Sequence, residues 1–131
     1  GHMIPDFFIN ALEEKDLVIY GQANFQTSLC YVSDMIDGLM KMMATEEGWL
    51  VLNLGSEEDV ALAKVARQAL NLAKSSSKIQ FEKPMLFMTP LGLPDISAAK
   101  ERLGWFPLIS LEEGLRKTYE YILAQKGIVG L

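Results

Sequence analysis

The chain has 131 residues, half of them hydrophobic and 22% charged, a composition typical of one folded domain and unlike that of a disordered segment. Its net charge is −5 and its twelve Lys and Arg residues are spread along the sequence, so no basic stripe for nucleic acid is present. No apolar run approaches the roughly 20 residues that cross a bilayer, and we expect neither a nucleic-acid nor a membrane partner.

The N-terminal residues 1–3, Gly-His-Met, are typical of an expression-tag remnant, although Met3 could instead be the native start. We therefore expect one domain over residues 4–131. The only histidine is His2, so the rest of the chain lacks the commonest general base and the commonest metal ligand. Cys30 is the only cysteine, which excludes an internal disulfide and a Cys-rich metal site. No metal is expected, and a lone thiol suits the reducing cytoplasm.

The first predicted elements are a helix and a strand. Pro5 suits the first turn of a helix, and apolar residues repeat at helical spacing as far as Lys15-Asp16. Residues 17–20, Leu-Val-Ile-Tyr, form a β-rich run that Gly21 ends. The polar residues 22–28 are predicted to be a loop.

A second extended piece and a helix follow. Residues 30–32, Cys-Tyr-Val, are predicted to be extended, and Ser33 is a suitable helix N-cap. The helix carries apolar side chains on one face, at Ile36, Leu39, Met40 and Met43. Together with Met35 and Met42, the methionines could form a soft binding surface. Helical spacing favours a place in the core instead, with Met42 the most exposed.

The middle of the chain is predicted to contain two strands and a helix. Residues 49–54 are the strongest strand candidate, and Gly55 closes it. Residues 62–74 have apolar side chains in the register of an amphipathic helix. Residues 78–82 alternate polar and apolar as in a half-buried strand, and residues 89–93 are predicted to be a loop.

Two helices are predicted to end the chain. Ser97 is the predicted cap of a short helix that ends near Gly104. Ser110 and Glu113 form a capping-box pattern at the head of the last helix, and Gly127 lies just past its predicted end. Helices that alternate irregularly with short strands predict an α/β or α+β-like domain, whose small sheet is not a Rossmann unit by itself.

Few residues suggest chemistry of their own. No glycine-rich loop follows a strand, because glycines such as Gly21 and Gly38 are isolated, so we do not expect this chain to bind a dinucleotide. Paired carboxylates such as Glu112-Glu113 lie at predicted helix ends or turns, where solvation and the helix dipole explain them. Cys30 could be reactive, but it lies in an apolar stretch without a basic neighbour, which favours an inert, buried thiol.

Four segments carry a resemblance to a known family. They are CYVSDMIDGLMKMM at 30–43, VLNLGS at 51–56, PDISAAKERLGW at 94–105 and SLEEGLRKTYEYI at 110–122. Together they resemble the C-terminal part of the extended short-chain dehydrogenase/reductases, the NAD-dependent epimerase/dehydratase family. Among its members, UDP-glucuronate decarboxylases and dTDP-glucose 4,6-dehydratases are the most similar. The resemblance implies a small substrate-binding domain without the Rossmann half.

The resemblance also implies what the chain lacks. In the intact family, NAD and the catalytic Tyr-x-x-x-Lys belong to the other part of the protein. None of Tyr20, Tyr31, Tyr119 and Tyr121 is followed four residues later by lysine. We therefore expect no catalytic residue and no cofactor in this chain alone.

Five positions correspond, by resemblance, to the nucleotide-sugar site: Phe7, Tyr20, Gly21, Gln26 and Thr27. The backbone near Phe7 and the ring of Tyr20 are expected to hold the base and ribose, although Tyr20 could simply pack the end of a strand. Thr27 and Gly92 stand where the family has diphosphate-binding arginines. Loss of two charge-assisted contacts at roughly 1.5–3 kcal/mol each predicts weak binding of a UDP- or dTDP-sugar.

Two functions remain open. The chain is the substrate-binding part of an NAD-dependent nucleotide-sugar epimerase, dehydratase or decarboxylase, or it is a degenerate interaction or self-association module derived from one. In both cases the loss of a Rossmann partner predicts an exposed apolar face and a homo-oligomer. The candidates for this face are Phe7, Phe8 and the run 85–88, Met-Leu-Phe-Met, which could instead be an interior strand.

Overall fold

The computed structural model describes residues 3–21, 25–46, 48–84 and 92–129. The chain divides into two compact units. Unit 1 comprises Gly1–Gln26, Ala61–Pro90 and Glu112–Leu131, and unit 2 comprises Thr27–Val60 and Leu91–Leu111. Each unit is therefore assembled from segments that are distant in sequence.

Helices and short strands alternate along the described residues. The helices are α1 (Met3–Leu12), α2 (Val32–Ala44), α3 (Leu62–Ala73), α4 (Ser97–Leu103) and α5 (Leu111–Val129), and the strands are β1 (Leu17–Tyr20), β2 (Gln26–Thr27), β3 (Val60–Ala61) and β4 (Ile79–Glu82). β1 and β4 pair in parallel, with Leu17 opposite Ile79, and β2 pairs with β3. This mixture of helices and small sheets confirms the predicted fold class. Within the described ranges, no helix combines the length and apolar character that crossing a membrane requires.

The core of unit 1 is built from α1, α3, β1 and α5. Phe7 and Phe8 of α1 are buried, and α1 packs against α3. Leu17 and Ile19 are alternate residues of β1, so their side chains point to the same side of the strand, and both are buried. The ring of Phe8 lies 5.5 Å from the ring of Tyr119 on α5. Burial of each large apolar side chain stabilises the fold by about 1.5–3 kcal/mol.

Polar contacts hold the start of β1 against the start of β4. The backbone N–H of Leu17 donates to the backbone oxygen of Lys78 at 2.8 Å. The Asp16 carboxylate accepts the backbone N–H of Lys78 at 2.9 Å and also accepts the side-chain amide of Gln80. The parallel register therefore begins at a point fixed by both backbone and side-chain hydrogen bonds.

Trp105 lies at the centre of unit 2. Its indole is buried with Ile96 and Ala99, and half-buried apolar residues pack against this cluster from Cys30, Leu52, Leu54 and Leu103. The indole N–H donates to the backbone oxygen of Asp34 at 2.9 Å. The carboxylate of Asp34 accepts the backbone N–H of Ile109, also at 2.9 Å. Because a buried indole N–H needs an acceptor, this pair of contacts joins α2 to the segment that follows α4.

Most predicted helices and strands are confirmed, with some displaced ends. α1 ends at Leu12 rather than near Lys15, because Glu14 has a left-handed backbone with φ 53°. α4 ends at Leu103, next to Gly104 as predicted, and Gly104 is its C-cap with a left-handed backbone of φ 58°. Gly127 lies inside α5, so the helix end predicted before it is wrong; a single glycine is tolerated where helical hydrogen bonds continue.

The predicted caps at Ser33 and Ser97 are wrong. Tyr31 is the N-cap of α2, so Ser33 lies within its first turn. The extended piece predicted at 30–32 is confirmed at Tyr31, whose backbone is extended with φ −73° and ψ 145°, but it is wrong at Val32, which already belongs to the helix. Ser97 is the first residue of α4, and its N–H donates to the Asp95 carboxylate at 2.9 Å. The acidic side chain two residues earlier therefore satisfies this helix start.

The strand predicted at 49–54 is not formed. Residues 50–54 make no backbone hydrogen bond to another segment within the described part of the chain, so they lack the ladder that defines a strand. Their burial still alternates, since Leu52 and Leu54 are half-buried and Val51 is exposed. The alternating sequence pattern therefore predicts correctly which side chains are half-buried and which are exposed. It does not determine whether another strand pairs with this segment.

The predicted burial of the apolar residues of α2 is wrong. Ile36, Leu39, Met40 and Met43 are exposed, and Met42 is half-buried rather than the most exposed methionine. The buried residues of α2 are Asp34 and Gly38, because these make the close contacts with the rest of unit 2.

The first candidate for an exposed apolar face is also wrong. Phe7 and Phe8 are buried in unit 1, where α1 packs against α3 and the ring of Phe8 contacts that of Tyr119 on α5. The second candidate, residues 85–88, lies outside the described residues. The exposed apolar residues of α2 were not among the candidates.

Candidate functional site

The end of β1 carries two of the five predicted site residues. Tyr20 is the last residue of the strand, and its side chain is 42% exposed. Its partner in the ladder is Glu82, whose backbone oxygen also accepts the N–H of Gly21 at 2.9 Å. Gly21 has φ 120°, a conformation that other residues rarely adopt. An exposed aromatic ring therefore precedes a backbone turn that requires glycine.

Phe25 packs against the same turn, and the sequence analysis missed it. A Cβ atom placed on Gly21 would lie 3.7 Å from the Phe25 ring. The backbone oxygen of Phe25 accepts the N–H of Leu62 at 2.9 Å, at the start of α3. Residues 22–24 lie outside the described residues, but both flanks of this loop are held by hydrogen bonds. An aromatic residue in an otherwise polar stretch is the signal that could have identified Phe25.

The other predicted site residues differ in their accessibility. Gln26 and Thr27 form β2, where Gln26 is exposed and Thr27 is half-buried. Phe7 is only 2% exposed in the core of unit 1, so its side chain is not available to a ligand. Phe25 thus lies beside Gly21, the residue that follows Tyr20, and Gln26 is accessible next in the chain.

Thr27 and Gly92, the two positions predicted to correspond to arginines of the family, carry no charge. Thr27 is half-buried and Gly92 is exposed, both in unit 2. A Cβ atom placed on Gly92 meets no atom of the described residues within 4 Å. A diphosphate therefore finds no guanidinium at either position.

Hydrogen bonds determine the ionisation of two carboxyl groups. The backbone N–H of Lys78, followed by the side chain of Gln80, lowers the pKa of Asp16. The hydroxyl and backbone N–H of Ser97 lower the pKa of Asp95. Both groups are therefore ionised at neutral pH, and their carboxylates accept hydrogen bonds at the start of a strand or helix. This is a structural role, as the sequence predicts for acidic residues at the ends of elements.

The single thiol has the surroundings of a structural cysteine. Cys30 is half-buried against the cluster around Trp105. Burial, followed by the nearby charge of Asp34, raises the pKa of the thiol, so it remains protonated at neutral pH. This supports the inert role predicted for it. The described residues include no group of three or more His, Cys, Asp and Glu that could hold a metal ion.

A cleft of about 360 Å³ lies between α3 and α5 in unit 1. It is lined by Gln68, Asn71, Leu72, Glu112, Leu115 and Arg116. The side-chain oxygen of Gln68 is buried and has no hydrogen-bond partner among the described residues. This cleft cannot be predicted from helical periodicity, because periodicity marks the buried face of α3 and not the groove beside it.

Comparison with known proteins shows which family this chain is related to. No family profile matches the chain. UDP-glucuronic acid decarboxylase 1 of Danio rerio is 36% identical over 121 residues, which cover 92% of this chain and 29% of that protein. The chain is related to the C-terminal part of the NAD-dependent epimerase/dehydratase family. The resemblance stated from the four sequence segments is thereby confirmed.

Solved structures show that this part of the epimerase/dehydratase family shares the fold. An epimerase from Methanothermobacter thermautotrophicus superposes with a TM-score of 0.93 and 23% identity, over 99% of this chain and 39% of that one. UDP-glucuronic acid 4-epimerase from Bacillus cereus, solved with UDP-glucuronic acid and NAD, has a TM-score of 0.88 and 24% identity, over 95% of this chain and 40% of that one. The chain thus spans well under half the length of these relatives.

Proposed function

We propose that the chain is the C-terminal substrate-binding domain of an NAD-dependent nucleotide-sugar epimerase, dehydratase or decarboxylase, and that it is catalytically incomplete alone. The observation that carries this proposal is the 36% identity to a UDP-glucuronic acid decarboxylase over 92% of the chain. The related Bacillus cereus epimerase, solved with UDP-glucuronic acid and NAD, supports a UDP- or dTDP-sugar as the ligand class. A cytoplasmic location is part of the proposal, since a lone cysteine suits a reducing compartment.

The proposed ligand contacts lie around the end of β1. The exposed ring of Tyr20 offers an apolar surface to a base at little cost in side-chain entropy. Gly21 allows the backbone to turn directly beside that ring. Gln26 supplies an amide that can donate to and accept from a base or ribose, and Thr27 supplies a hydroxyl. Near Phe7 only the backbone is proposed to take part, because the side chain is buried.

The cofactor of the family does not fit the residues of this chain. In a Rossmann unit, the pyrophosphate of a dinucleotide is held by a glycine-rich turn at the N-terminus of a helix, and the sequence contains no such turn. Where a strand leads into a helix here, β3 into α3, the junction is Ala61-Leu62 without a glycine. We therefore assign no hydride-transfer step to these residues, and NAD chemistry is left to the part of the relatives that this chain does not match.

Restoring the two arginines tests the proposed nucleotide site. The double variant Thr27→Arg/Gly92→Arg should raise the affinity for UDP at least about tenfold, since each charge-assisted hydrogen bond contributes roughly 1.5–3 kcal/mol. Isothermal titration with UDP at low ionic strength measures the change. The matched control, Thr27→Gln/Gly92→Gln, adds length without charge and should bind as the wild type does. Equal binding by all three proteins would show that this surface is not a nucleotide site.

The second candidate function is a non-enzymatic interaction or self-association module derived from the family. The uncharged residues Thr27 and Gly92 favour it, because neither can hold a diphosphate as arginine does. For either function we propose that the chain forms a homo-oligomer through exposed apolar surface. Failure to bind UDP combined with a stable oligomer would favour the module, whereas UDP binding strengthened by the arginines would favour the enzyme domain.

A further inference from the structure

The cleft between α3 and α5 contains polar groups that the proposed nucleotide site does not use. Each helix contributes three described residues at positions i, i+3 and i+4, which share one helix face: Gln68, Asn71 and Leu72 on α3, and Glu112, Leu115 and Arg116 on α5. All six belong to unit 1, and the residues proposed to contact a nucleotide are not among them. The cleft volume of about 360 Å³ falls within the roughly 300–1,000 Å³ of small-molecule sites. The cleft is therefore large enough for a small organic ligand.

Leucine side chains supply the apolar part of the cleft. Leu115 is buried and Leu72 is half-buried, whereas Asn71 and Glu112 are exposed. An apolar group that lies against the two leucines leaves water, which favours its binding. The cleft therefore suits a ligand with an apolar body and a polar group that reaches the exposed side chains.

Two hydrogen-bond acceptors of the cleft lack a donor. The side-chain oxygen of Gln68 is buried and accepts no hydrogen bond from the described residues. Rotation of the Gln68 side chain can bring this oxygen to the cleft, and no hydrogen bond to a described residue opposes that rotation. The carboxylate of Glu112 is exposed, and it has neither an ion pair nor a hydrogen-bond donor within the described ranges of the chain. Both groups therefore favour a ligand that brings N–H or O–H donors.

The basic residue of the cleft already has a partner. Glu112 and Arg116 are four residues apart on α5, a spacing at which a glutamate and an arginine can pair. The Arg116 guanidinium instead donates to the carboxylate of Glu120, one turn further along the helix. An anionic ligand would have to compete with Glu120 for this guanidinium, and the Glu112 carboxylate would repel it. The charges of the cleft therefore favour a cation over an anion.

We propose that this cleft binds a small organic ammonium ion, a protonated primary amine on an apolar body. An ammonium group carries three N–H donors and no acceptor, so it can donate to both the Glu112 carboxylate and the Gln68 oxygen. Its bond to Glu112 is charge-assisted and therefore stronger than one between neutral groups. The apolar body then lies against Leu72 and Leu115. This site is independent of the nucleotide contacts proposed around the end of β1.

Three compounds with the same apolar ring test which head group the cleft selects. Cyclohexylamine is protonated at neutral pH, cyclohexanol is neutral and cyclohexanecarboxylate is an anion. Titration followed by amide NMR at low ionic strength should show saturable shifts for cyclohexylamine at the cleft residues of α3 and α5. A ligand of so few atoms is expected to bind in the millimolar range. Cyclohexanol should bind at least about tenfold more weakly, and cyclohexanecarboxylate should give no saturable shift at these residues.

Two variants test the residues assigned to the ammonium group. Glu112→Gln keeps the length of the side chain and removes its charge, so it should weaken cyclohexylamine binding at least about tenfold. Gln68→Met removes the acceptor at similar length. It should also weaken binding, and it should raise the urea midpoint, because a buried acceptor without a donor is lost. Glu101→Gln, at an exposed position of α4 in unit 2, is the matched control and should bind as the wild type does.

Three results would each overturn the proposal. The first is a wild type that shows no saturable shift with cyclohexylamine. The second is equal binding of the amine and the alcohol, which would make the cleft a purely apolar groove. The third is amine binding that Glu112→Gln leaves unchanged. The affinity for UDP should be the same in the wild type and in Glu112→Gln, so failure of the ammonium site is distinguished from failure of the nucleotide site.

Discussion

At the scale of single residues, Gly38 and Trp105 determine how α2 lies in unit 2. Gly38 brings the helix backbone close to Leu54, and the Trp105 indole N–H donates to the backbone of Asp34. Asp34 and Trp105 are separated by 71 residues in the chain. A glycine that costs helix stability in isolation therefore favours this packing, because an added Cβ would lie 2.8 Å from the Leu54 side chain and would force it to shift.

Two glycine-to-alanine substitutions separate the effect of helix propensity on stability from the effect of side-chain packing. Gly38→Ala should destabilise the protein by about 1–3 kcal/mol, because its Cβ would lie 2.8 Å from Leu54 and 3.0 Å from the Trp105 ring nitrogen. Gly127→Ala on α5 is the matched control, since a Cβ there meets no atom of the described residues within 4 Å. It should leave stability unchanged or raise it by up to about 1 kcal/mol. Urea unfolding of the three proteins measures both effects, and a similar gain from both variants would contradict the tight contact at Gly38.

At the scale of elements, hydrogen-bonded carboxylates define where strands and helices begin. Asp16 precedes β1 and accepts hydrogen bonds from the backbone of Lys78 and the side chain of Gln80. Asp95 precedes α4 and accepts the backbone N–H of Ser97. In both places the acidic side chain accepts a backbone N–H at the start of a strand or helix. Such N–H groups have no backbone acceptor within their own element.

These carboxylates predict that the protein loses stability in acid. The pKa values of Asp16 and Asp95 are lowered in the folded state, by the hydrogen bonds from Lys78 and Ser97. A group with a lowered folded pKa contributes stability that is fully present above its unfolded pKa, and this stability is lost as pH falls through the folded pKa. Urea midpoints should therefore be level near neutral pH and fall below a pH of about 4. Asp16→Asn should reduce stability at neutral pH and make the acid loss smaller.

The control for this pH dependence is Asp59→Asn, which removes one negative charge from an exposed side chain. It should leave the pH profile close to that of the wild type. If Asp16→Asn and Asp59→Asn gave the same profile, the acid loss would come from overall charge and not from the hydrogen bonds at the start of β1.

At the scale of the whole molecule, the chain matches 29% of the zebrafish decarboxylase and about 40% of the solved epimerase. The matched part carries the strand end with Tyr20 and the buried Trp105, but no glycine-rich turn. Phe8, in unit 1, and Trp105, in unit 2, are both buried in this chain.

The absence of a glycine-rich turn predicts that the chain does not bind NAD. Isothermal titration with NAD and with NADH should give no measurable heat, because no backbone cradle for a pyrophosphate exists in the sequence. Titration with UDP under the same conditions is the comparison, since the proposed nucleotide contacts do not involve that turn. A dissociation constant for NAD in the micromolar range would contradict the prediction.

Local sequence patterns were sufficient for part of this structure. Apolar residues at helical spacing identified α1 and α3, the β-rich run 17–20 identified β1, and Gly104 identified the end of α4. The four family segments indicated the lineage that the comparisons confirm. These features depend on neighbours in the chain, which determine periodicity and local backbone preference, so a single sequence carries them.

The rest was decided by contacts between distant residues. The burial of α2 depends on Leu54 and Trp105, so the same apolar pattern that predicts a core face lies in water. Residues 50–54 have the alternation of a strand but find no ladder partner among the described residues. At the candidate site, the resemblance pointed to Tyr20 and Gly21, while the packing of Phe25 beside them became visible only in the fold. Periodicity specifies two faces of an element, and tertiary contacts alone decide which face is buried and what pairs with it.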